Sequence, residues 1–191
     1  MYFTIDDLNL RISKCGKCRS MNQNQKRVLG VGKTHPLLFF IGEAPGRHGA
    51  DQTGIPFTQD RSGMLLRDLM ASVGLSPQKN VYISNLVKCN PRDVHGRNRR
   101  PSVGEIENCR QYLLAEIRIV KARILVPLGL LASSELLGFR RPMKEINGRE
   151  FFNKHCQRIV PLYHPGYIIR GNYSLDRYHR DFIHLRKLAQ D

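Results

Sequence analysis

The residues of this chain best suited to chemistry gather in one glycine-rich stretch and at two strand-like ends. The stretch runs from Gly42 to Gly63 and reads GEAPGRHGADQTGIPFTQDRSG. Gly42, Gly46 and Gly49 let backbone amides approach an anion or an electronegative ring closely. Glu43 and Asp51 add two carboxylates, and Phe57, held by Pro56 before it, offers an aromatic face. A loop of this composition can simply cross a surface. The order of parts argues for a ligand instead: an apolar run precedes it, a helical pattern follows, and open α/β sheets bind ligands at strand carboxyl ends. It is not a P-loop, because no Gly-Lys-Ser/Thr follows, and the glycines do not fit GxGxxG. Asn85 sits near the end of another apolar run. Most buried asparagines are satisfied structural amides, but one amide also supplies the donor and acceptor that read a nucleobase edge. His164, in Tyr163-His164-Pro165-Gly166, ends a third run.

The second group is the cysteines: Cys15, Cys18, Cys89, Cys109 and Cys156. Cys15 and Cys18 form a CxxC pair, which can ligate a metal, cycle as a dithiol, or do neither. No thioredoxin-like strand precedes it, which makes the redox pair the weakest of these. Together with a strand end (Cys89) and a helix face (Cys109), four thiolates could converge on one site. Such a set suits zinc or an iron–sulfur cluster, and spacing alone does not choose between them. Cys156 lies on a separate segment and is expected to be a free thiol.

The elements that must position these residues follow from patterning. Thr4 is an N-cap with Asp6 and Asp7 behind it, opening a helix toward the first cysteines. The polar, basic run Arg19–His35 is a loop suited to crossing a phosphate backbone. Buried strands are expected over 37–41, 81–88, 124–128 and 158–162. Helices are expected from Met64, from Ser102 with Glu105 at capping-box spacing, from Gly129 to Gly138, and over Leu175–Gln190. Residues 92–101 carry four arginines and a histidine without apolar periodicity, which reads as an exposed loop.

With 191 residues, 41% hydrophobic and 25% charged, the chain fits one globular domain. A formal charge of +15 points to a polyanionic partner, since counterion release drives nucleic-acid binding. No apolar run is long enough to span a bilayer, and the first residues do not pattern as a signal peptide. A cytosolic or nucleoid-associated monomer is expected; a sliding-clamp partner is not legible.

The ordered set GEAPG, TGxPF, Val-Tyr-Ile-Ser-Asn-Leu-Val-Lys-Cys, Pro-Leu-Gly and Tyr-His-Pro-Gly-Tyr-Ile-Ile-Arg resembles the iron–sulfur (family 4) uracil-DNA glycosylases from about Cys15 to Arg170. The resemblance implies an α/β three-layer α/β/α sandwich around a central four-stranded parallel sheet. It implies a [4Fe–4S] cluster on Cys15, Cys18, Cys89 and Cys109, and excision of uracil from DNA by base flipping. In that reading Phe57 stacks on the base, Asn85 reads its edge, and His164 donates to O2, helped by the backbone of Gly42 and Ala44. Glu43 and Asp51 are the acids able to orient water, and Arg97, Arg99, Arg100 and Arg170 meet phosphates. Three departures stand out. Ala50 occupies the place of a customary glutamate, one residue is added after Phe57, and the Cys89–Cys109 loop is long. The competing readings are a non-catalytic damaged-base sensor of the same fold, and a zinc-bound RNA-binding module.

Overall fold

The computed structural model describes residues 4–18 and 26–190. The first part of the basic loop expected over Arg19–His35 therefore lies outside the described residues. Helices are α1 (Ile5–Ser13), α2 (Ala50–Thr53), α3 (Arg61–Ser72), α4 (Val103–Val120), α5 (Leu130–Leu137), α6 (Met143–Ile146), α7 (Pro165–Ile169) and α8 (Leu175–Gln190). Strands are β1 (Val31–Gly32), β2 (Leu38–Gly42), β3 (Val81–Asn85), β4 (Ile124–Pro127), β5 (Phe151–Phe152) and β6 (Arg158–Ile159).

The sheet is six-stranded and mixed, in the order β1-β3-β2-β4-β6-β5. The inner pairs β3–β2, β2–β4 and β4–β6 are parallel, and the short outer strands β1 and β5 pair antiparallel. The four strands expected from the sequence are β2, β3, β4 and β6, parallel at the centre, and two short antiparallel edge strands widen the sheet to a mixed one of six. The two-residue edge strands are too short to leave a period-two signal, which is why sequence patterning passes over them.

Every residue of β2 is buried, as a strand covered on both faces must be. Alternation sends Leu38 and Phe40 to one layer and Phe39 and Ile41 to the other. The first layer joins α3 and α8 through Leu66, Met70, Tyr178 and Phe182. The second joins α4 and α5 through Leu113, Ile117 and Leu137. α1 packs on α4 and buries Leu8 and Ile12 beside Cys109. Thr4 and Ser102 each form a complete capping box, with Asp7 and Glu105 reaching back to the cap.

Beneath the end of β3 lies a buried ion pair. Lys88 Nζ donates to Glu116 Oε2 at 2.6 Å, to Ser84 Oγ at 2.6 Å and to the Asn85 carbonyl at 2.9 Å. Both side chains are almost wholly buried, so each charge depends on the other. This network pins the strand end that carries Asn85. Among the described residues no helix is long and apolar enough to cross a membrane.

Candidate active site

The carboxyl ends of the parallel strands open into one cleft of about 810 Å³. Glu43, Phe57, Asn85, His164, Arg100 and Arg170 all line it, delivered by five different segments of the chain. Ala44 lines it as well, and Gly42, the last residue of β2, packs against two of its lining residues, Asn85 and Phe57.

Gly42 is the contact point. A Cβ built there would lie 2.3 Å from Asn85 Oδ1 and 2.7 Å from the Phe57 ring. The position must be glycine for the amide and the aromatic face to share the same space. Phe57 is buried and holds φ at 52°, a left-handed conformation that costs a non-glycine residue energy. Arg67 maintains it, donating Nε to the Phe57 carbonyl at 2.6 Å and Nη2 to the Pro56 carbonyl at 3.0 Å. Asn85 is 2% exposed, and its Oδ1 is buried without a partner. A buried acceptor left open costs free energy unless a ligand completes it. This amide is therefore built for something that enters the cleft.

His164 closes the opposite wall. It is the N-cap of α7, and its Nδ1 accepts the Gly166 N–H at 3.1 Å. In the neutral ring that leaves the proton on Nε2. Burial holds the imidazole pKa down to about 4, with the Arg170 charge adding to that depression and Asp60 opposing it. At neutral pH the ring is thus an uncharged donor through Nε2. Its rings and those of Phe57 stand 5.9 Å apart at 39°. Tyr163 anchors the segment: its N–H donates to Asn147 Oδ1, its carbonyl accepts the Tyr178 hydroxyl, and its ring stacks on Tyr167. Gly129, at φ 89°, lets the neighbouring turn pass close to His164.

Glu43 is partly buried in the cleft, which raises its carboxyl pKa, while the Arg100 charge pulls the other way. Asp51 is placed differently from expectation. It is buried in α2, ion-paired with Arg92, and does not line the cleft. Its Oδ1 is closed off without a partner. Asp51 and Arg92 instead clamp the glycine loop to the arginine loop. In the same clamp Arg92 Nε donates to Asn90 Oδ1, and Asn90 Nδ2 donates to the Pro45 carbonyl and to Asn98. Arg99 also lines the cleft, where its guanidinium grips both oxygens of Glu105 at 2.6 and 2.8 Å and bonds the Arg92 carbonyl. Arg97 is largely exposed and pairs with Asp93 one helical turn-length earlier in sequence. Arg100 and Arg170 are exposed at the cleft's lip.

The structure also supplies residues that patterning missed. Arg67 looks like any surface residue of a helix, and Asp60 like an ordinary N-cap; only the fold shows Arg67 holding the Phe57 backbone and Asp60 lining the cleft. The capping position of Asp60 was readable from the start of the helical pattern, but not the cleft it lines.

A second, small cavity is lined by Cys15, Cys18, Cys89 and Cys109 together, with Lys88, Arg27, Asn108 and Tyr112 around them. Asn108 Nδ2 lies 3.6 Å from Cys18 Sγ. Burial pushes the Cys89 thiol up to about 12, and the charges of Cys109, Cys15 and Cys18 push the same way against Arg27. Thiolates lining one cavity would repel one another, so the donor types suit a positively charged inorganic group, although their present spacing does not close on one. Among the described residues no three Cys, His, Asp or Glu side chains stand together as the ligands of one ion would. Cys156 is exposed and far from this group in the fold, on the turn between β5 and β6.

A parallel α/β sheet whose strand ends present an aromatic face, an open amide and a neutral imidazole within an arginine-lipped cleft defines a receptor for a flat heterocycle carried on a polyanion. The chain belongs to the uracil DNA glycosylase superfamily, whose family model matches residues 29–185. It is 34% identical over 162 residues to a type-4 uracil-DNA glycosylase of Thermotoga maritima, covering 84% of this chain and 81% of that one. It is 30% identical over 194 residues to a type-4 uracil-DNA glycosylase of Archaeoglobus fulgidus, covering 97% and 94%. Similarity to a type-5 uracil-DNA glycosylase of Thermus thermophilus is shorter, 31% over 122 residues.

Proposed function

We propose that this protein is a DNA base-excision glycosylase that hydrolyses the N-glycosidic bond of uracil. The single observation that carries the reading is that Asn85, whose buried Oδ1 has no partner, lines the same cleft as Phe57 and His164. Uracil supplies what that amide lacks: N3–H donates to Oδ1 and O4 accepts from Nδ2. Cytosine presents the opposite pair and would leave buried polar atoms unsatisfied, a mismatch able to discriminate by about 10⁴. A base inside a duplex cannot reach this depth, so the nucleotide must flip out and stack on Phe57, a contact worth about 1–3 kcal/mol.

Bond breaking sends the electron pair of the C1′–N1 bond to the base. The neutral His164 donates Nε2–H to O2 and stabilises the departing anion, with the Gly42–Ala44 backbone beside it. A contribution of this kind is worth about 10²–10³ in rate. Water then bonds to C1′ and gives up a proton, for which Glu43 is the acceptor: it lines the cleft, whereas Asp51 is ion-paired with Arg92 outside it. Arg100, Arg170 and the exposed Arg97 meet phosphates, while Arg99 serves the protein instead.

The four clustered cysteines support a [4Fe–4S] cluster over zinc through their place in the family resemblance. Cys15, Cys18, Cys89 and Cys109 would hold it, and hydrolysis moves no electrons, so its contribution is to tie α1, the end of β3 and α4 together behind Asn85. Iron and sulfide analysis with an absorbance band near about 400 nm supports the cluster; stoichiometric zinc in anaerobically purified protein refutes it.

Incubation with oligonucleotides carrying uracil, hypoxanthine or xanthine, followed by alkaline cleavage, tests the function. Cleavage confined to the uracil strand is expected. An inert wild type that binds such DNA would establish the damaged-base sensor instead.

A further inference from the structure

A glycosidic bond that breaks this way leaves a cationic sugar, and none of the residues named so far faces it with a free negative charge. Asp51 is bound to Arg92 away from the cleft, and Ala50, which does line the cleft, carries no carboxylate. Glu43 is occupied with the water. One acid remains in the same cleft: Asp60.

Asp60 is held in an unusual way for a capping residue. Its Oδ1 accepts the Gly63 N–H at 2.7 Å and starts α3. A cap needs only that oxygen, and serine or asparagine would supply it equally well. The second oxygen, Oδ2, accepts no hydrogen bond among the described residues. It lies instead in a cradle made by two glycines of the other loop: a Cβ at Gly46 would come within 2.7 Å of it, and one at Gly49 within 2.5 Å. Two backbone positions have given up side chains around this one oxygen. Its charge is felt by His164, whose imidazole it acts to protonate against the effect of burial.

We propose that Asp60 is a catalytic residue of this site, whose Oδ2 lies against the sugar of the flipped nucleotide and stabilises its positive charge as C1′–N1 breaks. The inference rests on the glycosidase reading above. Asp60 takes no proton in the step. The electron pair leaves with the base toward His164, the water adds to C1′, and its proton goes to Glu43. Asp60 contributes the fixed counter-charge that Ala50 and the sequestered Asp51 do not.

The test uses full-length protein and Asp60→Asn, which keeps an N-cap oxygen while removing the charge, with Asp60→Ser as a second capping variant. Binding is measured by fluorescence anisotropy to two duplexes, one with a cationic pyrrolidine in place of the nucleotide and one with a neutral tetrahydrofuran. Wild type is expected to prefer the cationic site by about 10- to 100-fold, and both variants to bind the two duplexes equally. Single-turnover uracil release should fall by a similar factor with the melting temperature unchanged. A preference retained in Asp60→Asn, or absent from wild type, overturns the proposal. The analogue readout needs no excision: a wild type inert toward uracil but showing the Asp60-dependent preference refutes the uracil reading and supports this one.

Discussion

Gly42→Ala is the smallest change that tests how the cleft is built. The new methyl would sit 2.3 Å from Asn85 Oδ1 and 2.7 Å from the Phe57 ring, about 1 Å short of ordinary contact. β2 cannot retreat, because it is hydrogen-bonded on both sides and Gly42 is in register with Asn85. Phe57 cannot swing freely either, because Arg67 grips its carbonyl. The Asn85 amide must therefore turn, and Phe57 must tilt. A misplacement of about 1 Å in a positioned group costs on the order of 10² in rate, and overpacking costs about 1–3 kcal/mol of stability. Single-turnover release of uracil, with enzyme in excess, reads the first quantity, and denaturant melting reads the second. We expect a loss of about 100-fold with a folded, slightly destabilised protein. A variant within twofold of wild type would show that Asn85 and Phe57 do not meet at Gly42 in the working enzyme.

Other consequences are more quickly stated. Arg100→Gln should lower the salt dependence of DNA binding by about one ion, whereas Arg99→Gln should leave that slope alone and destabilise the protein by about 1–3 kcal/mol, because a grip on Glu105 is lost; salt titrations and melts on both variants separate the roles. Excision should decline as pH falls far enough for Glu43, whose carboxyl burial raises above its ordinary value, to take up a proton, with no step at an ordinary histidine value, because burial keeps His164 neutral down to a pKa of about 4. The same depressed pKa makes the unfolded chain bind the extra proton first, so stability should drop as pH falls from about 6.5 toward about 4; His164→Phe should lose that slope in pH-dependent melts. Glu116→Gln should cost about 3–5 kcal/mol by stranding the Lys88 ammonium, and a Lys88→Met, Glu116→Leu double variant should recover most of it in denaturant melts.

The sequence made the centre of the fold legible because its strands are long enough to pattern. Leu38–Gly42 and Val81–Asn85 are continuous apolar runs, and both end on residues with obvious chemical use. Capping was equally legible at Thr4 and Ser102, since a hydroxyl three residues before an acid has few other meanings. The second strand was expected to reach Lys88 but ends at Asn85, because Lys88 turns inward to Glu116 and the chain bends around it. Arginine roles were not legible. Arg97, Arg99 and Arg100 look alike in a polar loop, and only the packing of Glu105 beside Arg99 and of Glu43 near Arg100 tells them apart. Asp51 and Asp60 exchanged prominence for the same reason. Sequence spacing ranks acids by distance along the chain, whereas a partner 41 residues away, Arg92, decides which one is free.

The most direct measurement is the single-turnover rate of uracil release from one duplex by wild type, Asn85→Ala and His164→Ala, each checked for retained folding. The open amide and the neutral imidazole predict measurable release by wild type and losses of about 10² or more in both variants. Rates for both variants within a few fold of an active wild type would contradict the account, because the two groups that define the cleft would then contribute nothing to the departing base.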